Sequence, residues 1–191
     1  MINVGILGLG VVGTGVVATL IDNETSLSQI TGRRVNLKSV LVRDKLRTRE
    51  IELPAGLLTT NAQDILDDPD IHVLVEVMGG TDPAENYLRD ALSAGKHVVT
   101  ANKEVMAKSG PELMAIARNN GANLLFEASV GGGIPIVGTM MNELAANDIR
   151  SIRSIINGTT NYILTRMAHE RTSFLEALGE AQALGLSLIH I

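Results

Sequence analysis

The chain has 191 residues with 16 Lys or Arg and 21 Asp or Glu, which gives a formal net charge of −5 at pH 7. This mildly acidic balance, with two Phe, two Tyr and no Trp, lacks the basic and aromatic surface of nucleic-acid binders, so we expect no nucleic-acid partner. The absence of Cys excludes a disulfide framework, a thiolate zinc site and a cysteine nucleophile. It is compatible with a reducing cytoplasm, which we predict as the location.

The chain begins with an apolar run that leads directly into a G-x-G-x-x-G triplet. In dinucleotide folds the first glycine permits a tight turn, the second lets the backbone approach a pyrophosphate, and the third lets the next helix pack on the sheet. The phosphates then lie at a helix N-terminus, where free N–H groups and the helix dipole favour an anion. The predicted cofactor-binding turn is Gly8, Leu9, Gly10, Val11, Val12 and Gly13.

Residues 2–21 are also long enough to span a bilayer. A signal peptide would carry basic residues before the apolar stretch and a small-residue cleavage site after it, and neither is present. No pair of glycines between Gly5 and Gly15 has the G-x-x-x-G spacing of a membrane-helix dimer. We therefore expect no membrane partner.

Apolar runs alternate with helical patterns through the first 127 residues. The predicted strands are residues 2–7, 35–42, 73–77, 97–100 and 123–127. The predicted helices are residues 12–21, a helix capped by Asp82 and ended by Gly95, and residues 111–120 followed by Gly121. This order predicts an α/β fold with a Rossmann-like doubly wound parallel sheet over residues 1–134.

The pattern changes after residue 127. A helix is predicted over residues 135–146, a half-exposed strand over 149–156, and a last helix that begins with a capping box at Ser173 and Glu176 and ends near Gly185. These elements predict that residues 135–191 begin a second, α+β substrate domain.

A charged segment, residues 43–54, follows the second strand and is predicted to be exposed. The residue at the end of this strand selects the cofactor, because a carboxylate binds a free ribose 2′-hydroxyl whereas arginine accommodates a 2′-phosphate. Arg43 is followed by Asp44, and the sequence does not decide which of the two occupies the selecting position, so the choice between NAD and NADP stays open. Because Lys45, Arg47 and Arg49 follow, we favour NADP, with NAD and a merely solvated charge run as the alternatives.

Two further clusters follow predicted strands. Gly79-Gly80 follows the strand at 73–77, and Thr100-Ala101-Asn102-Lys103 follows the strand at 97–100. Because ligands bind at the carboxyl ends of parallel strands, both clusters are predicted to face cofactor and substrate. Lys103 is predicted to polarise a carbonyl or stabilise an alkoxide, and the alternative is an ordinary surface lysine at a helix start.

Four motifs stand in the order and spacing of one family. They are residues 8–13, Thr100-Ala101-Asn102-Lys103, the Glu127 to Pro135 segment and Asn157-Gly158-Thr159-Thr160-Asn161-Tyr162. From residue 2 to about residue 185 the chain resembles homoserine dehydrogenase. The resemblance implies NAD(P)-linked interconversion of L-homoserine and L-aspartate 4-semialdehyde, a step toward threonine, isoleucine and methionine, by a homodimer or larger oligomer in the full-length form.

The resemblance also implies site residues. The turn at 8–13 and Arg43 bind the dinucleotide, and Thr100 and Lys103 lie near the nicotinamide and substrate. Gly158 and Thr159 belong to a loop that holds the polar end of the substrate. A sodium site, for which oxygen-only ligands are suited, is implied at Glu127, Val130, Gly132 and Ile134. The alternatives are a helix-capping carboxylate at Glu127 and a simple hinge at the glycines.

The sequence departs from the family pattern after Gly185. The family continues with an acidic stretch that supplies a substrate-binding glutamate, a catalytic aspartate and a second lysine, whereas this chain reads Leu-Ser-Leu-Ile-His-Ile. We expect a truncated C-terminus, so an NADP-binding fragment without turnover is the alternative function. A thioester-type semialdehyde dehydrogenase is excluded because no Cys is present, and a sugar oxidoreductase does not explain the later motifs. The histidines are predicted to be structural.

Overall fold

A computed structural model describes residues 1–49, 51–154, 157–184 and 186. The chain divides into two compact units, Met1–Glu143 and Leu144–Ile191. The domain boundary predicted between residues 134 and 135 lies inside the first unit and stays a prediction.

The first unit is built on a six-stranded sheet in which every recorded strand pair is parallel. In space the order is β3-β2-β1-β4-β5-β6, so the chain reverses direction across the sheet between β1 and β4. At such a reversal the carboxyl ends of the strands open a crevice. The strands are β1 (Ile2–Leu7), β2 (Val35–Leu41), β3 (Leu58–Thr59), β4 (Val73–Glu76), β5 (His97–Thr100) and β6 (Leu124–Leu125). This topology confirms the predicted Rossmann-like α/β fold.

Helices connect the strands. In the first unit they are α1 (Val11–Asp22), α2 (Glu24–Thr31), α3 (Gln63–Leu66), α4 (Ala84–Ser93), α5 (Lys103–Asn119), α6 (Glu127–Val130) and a π-helical turn, Thr139–Glu143. In the second unit they are α7 (Gly158–Glu170) and α8 (Phe174–Ala183). In the described parts of the chain, no helix has the length and apolar character needed to cross a membrane.

Both faces of the sheet are buried. Leu7 and Leu74 belong to one apolar cluster, whereas their neighbours Ile6 and Val75 belong to another. Successive residues of a strand point to opposite faces, so a strand covered on both sides reads as a continuous apolar run. This is why the central strands were predictable, and burial of each such side chain contributes about 1.5–3 kcal/mol.

The strand predictions hold best in the middle of the sheet. Those for β1 and β5 are confirmed at both ends, and β2 and β4 each end one residue earlier than predicted. The strand predicted at 123–127 is reduced to β6, because Glu127 already begins α6. The sequence analysis did not predict β3, α2 or α3. Gly32, which is left-handed at the C-cap of α2, is the signal that would have identified that helix.

Two helix starts were predicted wrongly. Asp82 does not cap α4, whose N-cap is Pro83; the N–H of Glu85 donates instead to the carbonyl of Thr81 at 2.8 Å. The helix predicted to begin at Pro111 begins at Lys103, and Pro111 lies in its interior. Burial of the apolar face of α5 offsets the one hydrogen bond that the proline removes. The predicted stops are confirmed, because Gly95 and Gly121 follow α4 and α5 in the left-handed conformation.

The second unit contains a helix pair with a small core of Ile163, Ala177 and Ala181. The predicted capping box is confirmed, since the Ser173 hydroxyl accepts from the Glu176 N–H and the Glu176 carboxylate accepts from the Ser173 N–H. The predicted end of this helix, Gly185, lies outside the described residues.

Two predictions after residue 134 are wrong. The helix predicted over 135–146 is only the π-helical turn and a short segment before it. Residues 149–154 form no strand, and Ile155 and Ile156 lie outside the described residues. Alternating polarity alone does not make a strand, because a strand needs a paired neighbour, and the described part of the second unit contains none.

Candidate functional site

The glycine turn joins β1 to α1 at the carboxyl edge of the sheet. Gly8 has φ +103°, and a Cβ on it would lie 3.0 Å from the carbonyl oxygen of Val77. A Cβ on Gly13 would lie only 2.2 Å from the carbonyl oxygen of Gly8, so α1 packs against the turn as closely as glycine allows. Gly10, in contrast, has nothing within 4 Å of its Cβ position. The turn is therefore tight on its inner side and open at Gly10.

The N-terminus of α1 has free donors. Its N-cap, Gly10, provides no side-chain hydrogen bond. Among the described residues, no acceptor is recorded for the N–H groups of Val11, Val12 and Gly13. Val11 and Val12 are largely exposed, so these donors are accessible at the positive end of the helix dipole. This arrangement favours binding of an anionic group.

A cleft of about 490 Å³ opens at this turn. Its volume is within the range of small-molecule and cofactor sites. The cleft brings the predicted turn together with the predicted specificity residue Arg43, and Tyr87 of α4 contributes an aromatic wall. The lining residues are Gly8, Leu9, Gly10, Leu41, Val42, Arg43, Asp44, Arg47, Arg49, Thr60, Val77, Met78, Pro83 and Tyr87.

The charged loop after β2 is held by its own side chains. The guanidinium of Arg49 donates to the carbonyl oxygens of Asp44 at 2.5 Å and Arg47 at 2.7 Å. The carboxylate of Asp44 accepts from the N–H of Leu46 at 2.8 Å. Arg43 is exposed, and no described hydrogen bond or ion pair engages its side chain. Arg43 is thus available in the cleft, which Asp44 also lines. The predicted exposure is confirmed for residues 43–48, Glu52 and Pro54, but Arg49 is partly buried, and Ile51 and Leu53 pack against an apolar cluster of the sheet.

A buried polar network lies at the carboxyl ends of β4 and β5. Glu76, which is 0% exposed, accepts from the Thr100 hydroxyl at 2.6 Å and from the Met78 N–H at 2.8 Å. The side-chain amide of Asn102 donates to the carbonyl of Gly80 at 2.6 Å and to Glu76 at 3.4 Å. The network therefore ties the loop after β4 to the loop after β5.

Sequence reasoning missed Glu76 and gave Asn102 no role beyond its place in the cluster that follows the strand at 97–100. A glutamate at the end of the apolar run Val-Leu-Val-Glu was the available signal for the first. For Asn102 the signal was its place before α5, where its side chain accepts from the Val105 N–H at 3.2 Å as the N-cap. Lys103 follows as the first residue of α5; it is exposed, and its amine makes no described hydrogen bond.

Glu127 caps the segment that precedes the π-helical turn. Its carboxylate accepts from the N–H groups of Ile136 at 2.6 Å, Val137 at 2.9 Å and Gly138 at 2.6 Å. These bonds favour the charged form and lower the pKa of the Glu127 carboxyl below its ordinary value. The capping role that the sequence left open as an alternative is therefore present.

The implied sodium ligands offer only oxygen atoms. Among the described residues, no hydrogen bond is recorded to the carbonyl oxygens of Val130, Gly132 or Ile134. A carboxylate has more acceptor positions than the three that Glu127 uses here. A carboxylate with three free carbonyls fits a hard monovalent cation. Nowhere in the described ranges do three or more His, Cys, Asp or Glu gather as a metal site.

Gly158 and Thr159 lie in the second unit, in the first turn of α7. Asn157 caps this helix by accepting from the Thr160 N–H at 2.8 Å. The Thr159 hydroxyl donates to the carbonyl oxygen of Leu186. These two residues thus belong to a different unit from the cleft.

Two histidines support the opposite, amino edge of the sheet. Nδ1 of His72 accepts from the Asn3 N–H at 3.1 Å, and Nδ1 of His97 accepts from the Asn123 N–H at 3.0 Å. This confirms their predicted structural role. His169 is exposed on α7, and His190 lies outside the described residues.

Comparison with known proteins identifies the family. A family model described as "Homoserine dehydrogenase, NAD binding domain" matches residues 8–127, and a second, "Homoserine dehydrogenase", matches residues 135–187. The chain belongs to the homoserine dehydrogenase family. The resemblance inferred from the four motifs is thereby confirmed.

Relatives of known sequence support this assignment. The homoserine dehydrogenase of Bacillus subtilis is 49% identical over 186 residues, which are 97% of this chain and 43% of that protein. The homoserine dehydrogenase of Synechocystis is 45% identical over 184 residues, which are 96% of this chain and 42% of that protein. The chain therefore spans less than half the length of these relatives.

Solved structures of homoserine dehydrogenases have the same fold. One from Thiobacillus denitrificans matches with a TM-score of 0.89 and 42% identity, over 98% of this chain and 43% of that chain. A hyperthermophilic archaeal homoserine dehydrogenase in complex with NADPH matches with a TM-score of 0.80 and 27% identity, over 99% of this chain and 63% of that chain. The first family match contains the glycine turn, the charged loop and the Glu76 network, so these belong to a nicotinamide-dinucleotide-binding domain.

Proposed function

We propose that this chain supplies the dinucleotide-binding part of an NADP-dependent homoserine dehydrogenase. The observation that carries the proposal is the open side of the glycine turn. There Gly10, which immediately precedes the free N–H groups of α1, and Arg43 line one cleft. Helix N–H groups hold the paired phosphates, and the arginine holds the 2′-phosphate of the ribose.

Preference for NADP over NAD rests on the charged loop. An acidic residue that selects NAD must offer its carboxylate to the ribose 2′-hydroxyl. Arg43, Asp44 and Arg47 all line the cleft; the side chains of Arg43 and Arg47 have no described partner, whereas the Asp44 carboxylate accepts the N–H of Leu46. The archaeal relative in complex with NADPH supports the same choice.

At the other end of the dinucleotide, we place Gly79, Gly80, Thr100 and Lys103 around the nicotinamide and the reacting carbon. The cofactor supplies the hydride chemistry, and the protein orients the two reactants. The Lys103 amine donates to the reacting oxygen and stabilises negative charge on it. Gly158 and Thr159 hold the polar end of L-homoserine or L-aspartate 4-semialdehyde.

The remaining parts of the proposal follow from the family. The sodium ion is held by the Glu127 carboxylate and the carbonyl groups of Val130, Gly132 and Ile134. The whole enzyme acts in the cytoplasm as a homodimer or larger oligomer, in the synthesis of threonine, methionine and isoleucine. Residues 1–134 form its dinucleotide-binding domain, and residues 135–191 begin its catalytic domain.

Fluorescence titration of this chain with NADPH and with NADH tests the cofactor assignment. Replacing a charged hydrogen-bond donor costs about 1.5–3 kcal/mol, so Arg43→Ala should raise the Kd for NADPH roughly ten- to a hundredfold and leave that for NADH unchanged. Arg33→Ala is the matched control, because Arg33 is equally exposed but precedes β2. Equal affinities of the unmodified chain for NADPH and NADH would contradict the proposal.

The nicotinamide absorbance with homoserine and NADP⁺ tests turnover. Steady turnover by this chain would show that it is catalytically sufficient. Binding of NADPH without turnover would favour the alternative of a cofactor-binding fragment.

A further inference from the structure

Among the described residues, Glu76 is the one acidic residue that is completely buried. It ends β4, immediately before Val77 and Met78, which line the cleft. None of the described ion pairs includes it, so no described cationic side chain lies within ion-pair distance of its carboxylate. A buried carboxylate without a cationic partner is costly, and a residue of this kind at a ligand site requires a functional explanation.

The hydrogen bonds recorded for the Glu76 carboxylate are all ones that it accepts. One oxygen accepts from the Met78 N–H and the Asn102 amide, and the other accepts from the Thr100 hydroxyl. The Thr100 oxygen itself accepts from the Asn102 N–H at 3.0 Å, which leaves the Thr100 proton for Glu76. Three donors and no acceptor therefore surround the carboxylate, whose two oxygens serve only as acceptors.

The network also fixes where this charge lies. It sits between the loop that carries Gly80 and the loop that carries Thr100 and Lys103. If the chain has the proposed function, these two loops surround the nicotinamide. The oxidised nicotinamide ring carries one positive charge, and addition of a hydride, which is a proton with two electrons, makes it neutral. A fixed negative charge beside the ring therefore interacts differently with the two redox forms.

We propose that Glu76 is an electrostatic residue of the cofactor site that favours the oxidised, cationic form of the dinucleotide over the reduced form. In the direction that oxidises homoserine, it strengthens binding of NADP⁺. In the opposite direction it assists release of hydride, because the ring gains positive charge beside a buried carboxylate. The inference rests on the proposed function.

A purely structural role for Glu76 makes a different prediction. Glu76→Gln keeps the shape of the side chain: its amide oxygen accepts from Met78 and Asn102, and its amide N–H donates to the Thr100 hydroxyl, which can rotate. Glu76→Asp keeps the charge but is too short to maintain every bond. If the role of Glu76 is only structural, we expect dinucleotide binding to be disturbed more in the Asp variant than in the Gln variant. If the role is electrostatic, we expect the reverse.

The measurement is the ratio of Kd for NADP⁺ to Kd for NADPH, by calorimetry and fluorescence on this chain. We expect the ratio to rise by about three- to tenfold in Glu76→Gln and to stay within about twofold of the original in Glu76→Asp. A structural defect weakens both dinucleotides together and leaves the ratio unchanged.

Asp64→Asn is the matched control. Asp64 also accepts from a threonine hydroxyl, that of Thr59 at 2.5 Å, and from an asparagine amide, that of Asn61 at 2.8 Å, but next to β3 at the edge of the sheet. Its replacement should not move the ratio.

Three results have distinct meanings. A ratio that rises by less than about threefold in Glu76→Gln overturns the inference. A shift of more than about twofold in Glu76→Asp also overturns it, and this test remains if the Gln variant does not fold. Failure of the unmodified chain to bind either dinucleotide instead overturns the proposed function. The expected pair of ratios supports both.

Discussion

The packing of α1 on the glycine turn predicts a large effect of Gly13→Ala. The added Cβ would lie 2.2 Å from the Gly8 carbonyl oxygen and 3.3 Å from a methyl group of Val77. The first of these neighbours is backbone, which cannot rotate away as a side chain can. The N-terminus of α1 must therefore retreat from the turn by more than an ångström. That movement also loosens Val17, which is fully buried in the cluster with Ile6 and Val40.

The size of the effect follows from two opposing contributions. Overpacking a tight site costs about 1–3 kcal/mol, and the upper value applies because the clash involves backbone. Replacing glycine by alanine inside a helix raises the free energy of unfolding by up to about 1 kcal/mol, because alanine has the higher helix propensity. Gly15→Ala is the matched control in the same helix, because Gly15 is exposed and nothing lies within 4 Å of its Cβ position. The free energies of unfolding of the two variants should thus differ by about 3 kcal/mol.

Urea unfolding followed by circular dichroism measures this difference. With a slope of about 2 kcal/mol/M, the midpoint of Gly13→Ala should lie roughly 1.5 M below that of Gly15→Ala. Gly15→Ala itself should be as stable as the unmodified chain or slightly more stable. If the midpoints of the two alanine variants agree within about 0.25 M, the close approach of helix and turn is not an important packing contact.

Three further substitutions separate binding from stability. Gly10→Ala should leave the melting temperature unchanged and raise the Kd for NADPH at least about tenfold, because its Cβ would occupy the space for the pyrophosphate; equal affinity in a titration would contradict this. Lys96→Met should lower the free energy of unfolding by about 2 kcal/mol in urea, because the carbonyl groups of Asp68 and Ile71 lose their buried donor; a neutral effect would be inconsistent with that role. Because the folded-state pKa of Glu127 is lowered, its stabilising effect is present above the ordinary carboxyl pKa and is lost as the pH falls through the lowered value. Urea midpoints measured from neutral pH down to about pH 3 should therefore fall more steeply below about pH 4.5 in the unmodified chain than in Glu127→Gln, and parallel curves over this range would exclude this contribution.

The sequence predicted the centre of the sheet because burial on both faces leaves an unambiguous signal. In β1 every residue except Asn3 is apolar or small, and β5 has two valines between its polar ends. Left-handed glycines mark where α4 and α5 stop. The edge strand β3 has only two residues, too few for any periodicity. The start of α5 was missed because Pro111 imitates a first helical position, although buried apolar residues before and after it continue one helix.

The candidate site was predictable only where local sequence determines it. The spacing of Gly8, Gly10 and Gly13 encodes the turn, and the end of β2 places Arg43 beside it. The roles of Glu76 and Asn102 were missed because they depend on partners 24 and 22 residues away along the chain, which only the folded sheet brings together. The strand prediction was wrong for residues 149–154 for the same physical reason: an alternation of apolar and polar residues does not show whether a neighbouring strand is available for pairing.

The two edges of the sheet differ in how completely their polar groups are satisfied. At the amino edge, His72 and His97 accept backbone N–H groups, and Lys96 donates to two backbone carbonyls. At the carboxyl edge the Glu76 network is hydrogen-bonded, but within the described residues the side chains of Arg43 and Lys103 and the first N–H groups of α1 have no recorded partner. Satisfied polar groups stabilise the fold, whereas unsatisfied ones are available to a ligand. Substitutions at the amino edge should therefore change the free energy of unfolding and leave the Kd for NADPH unchanged, which makes Lys96→Met a test of this division as well as of its own hydrogen bonds.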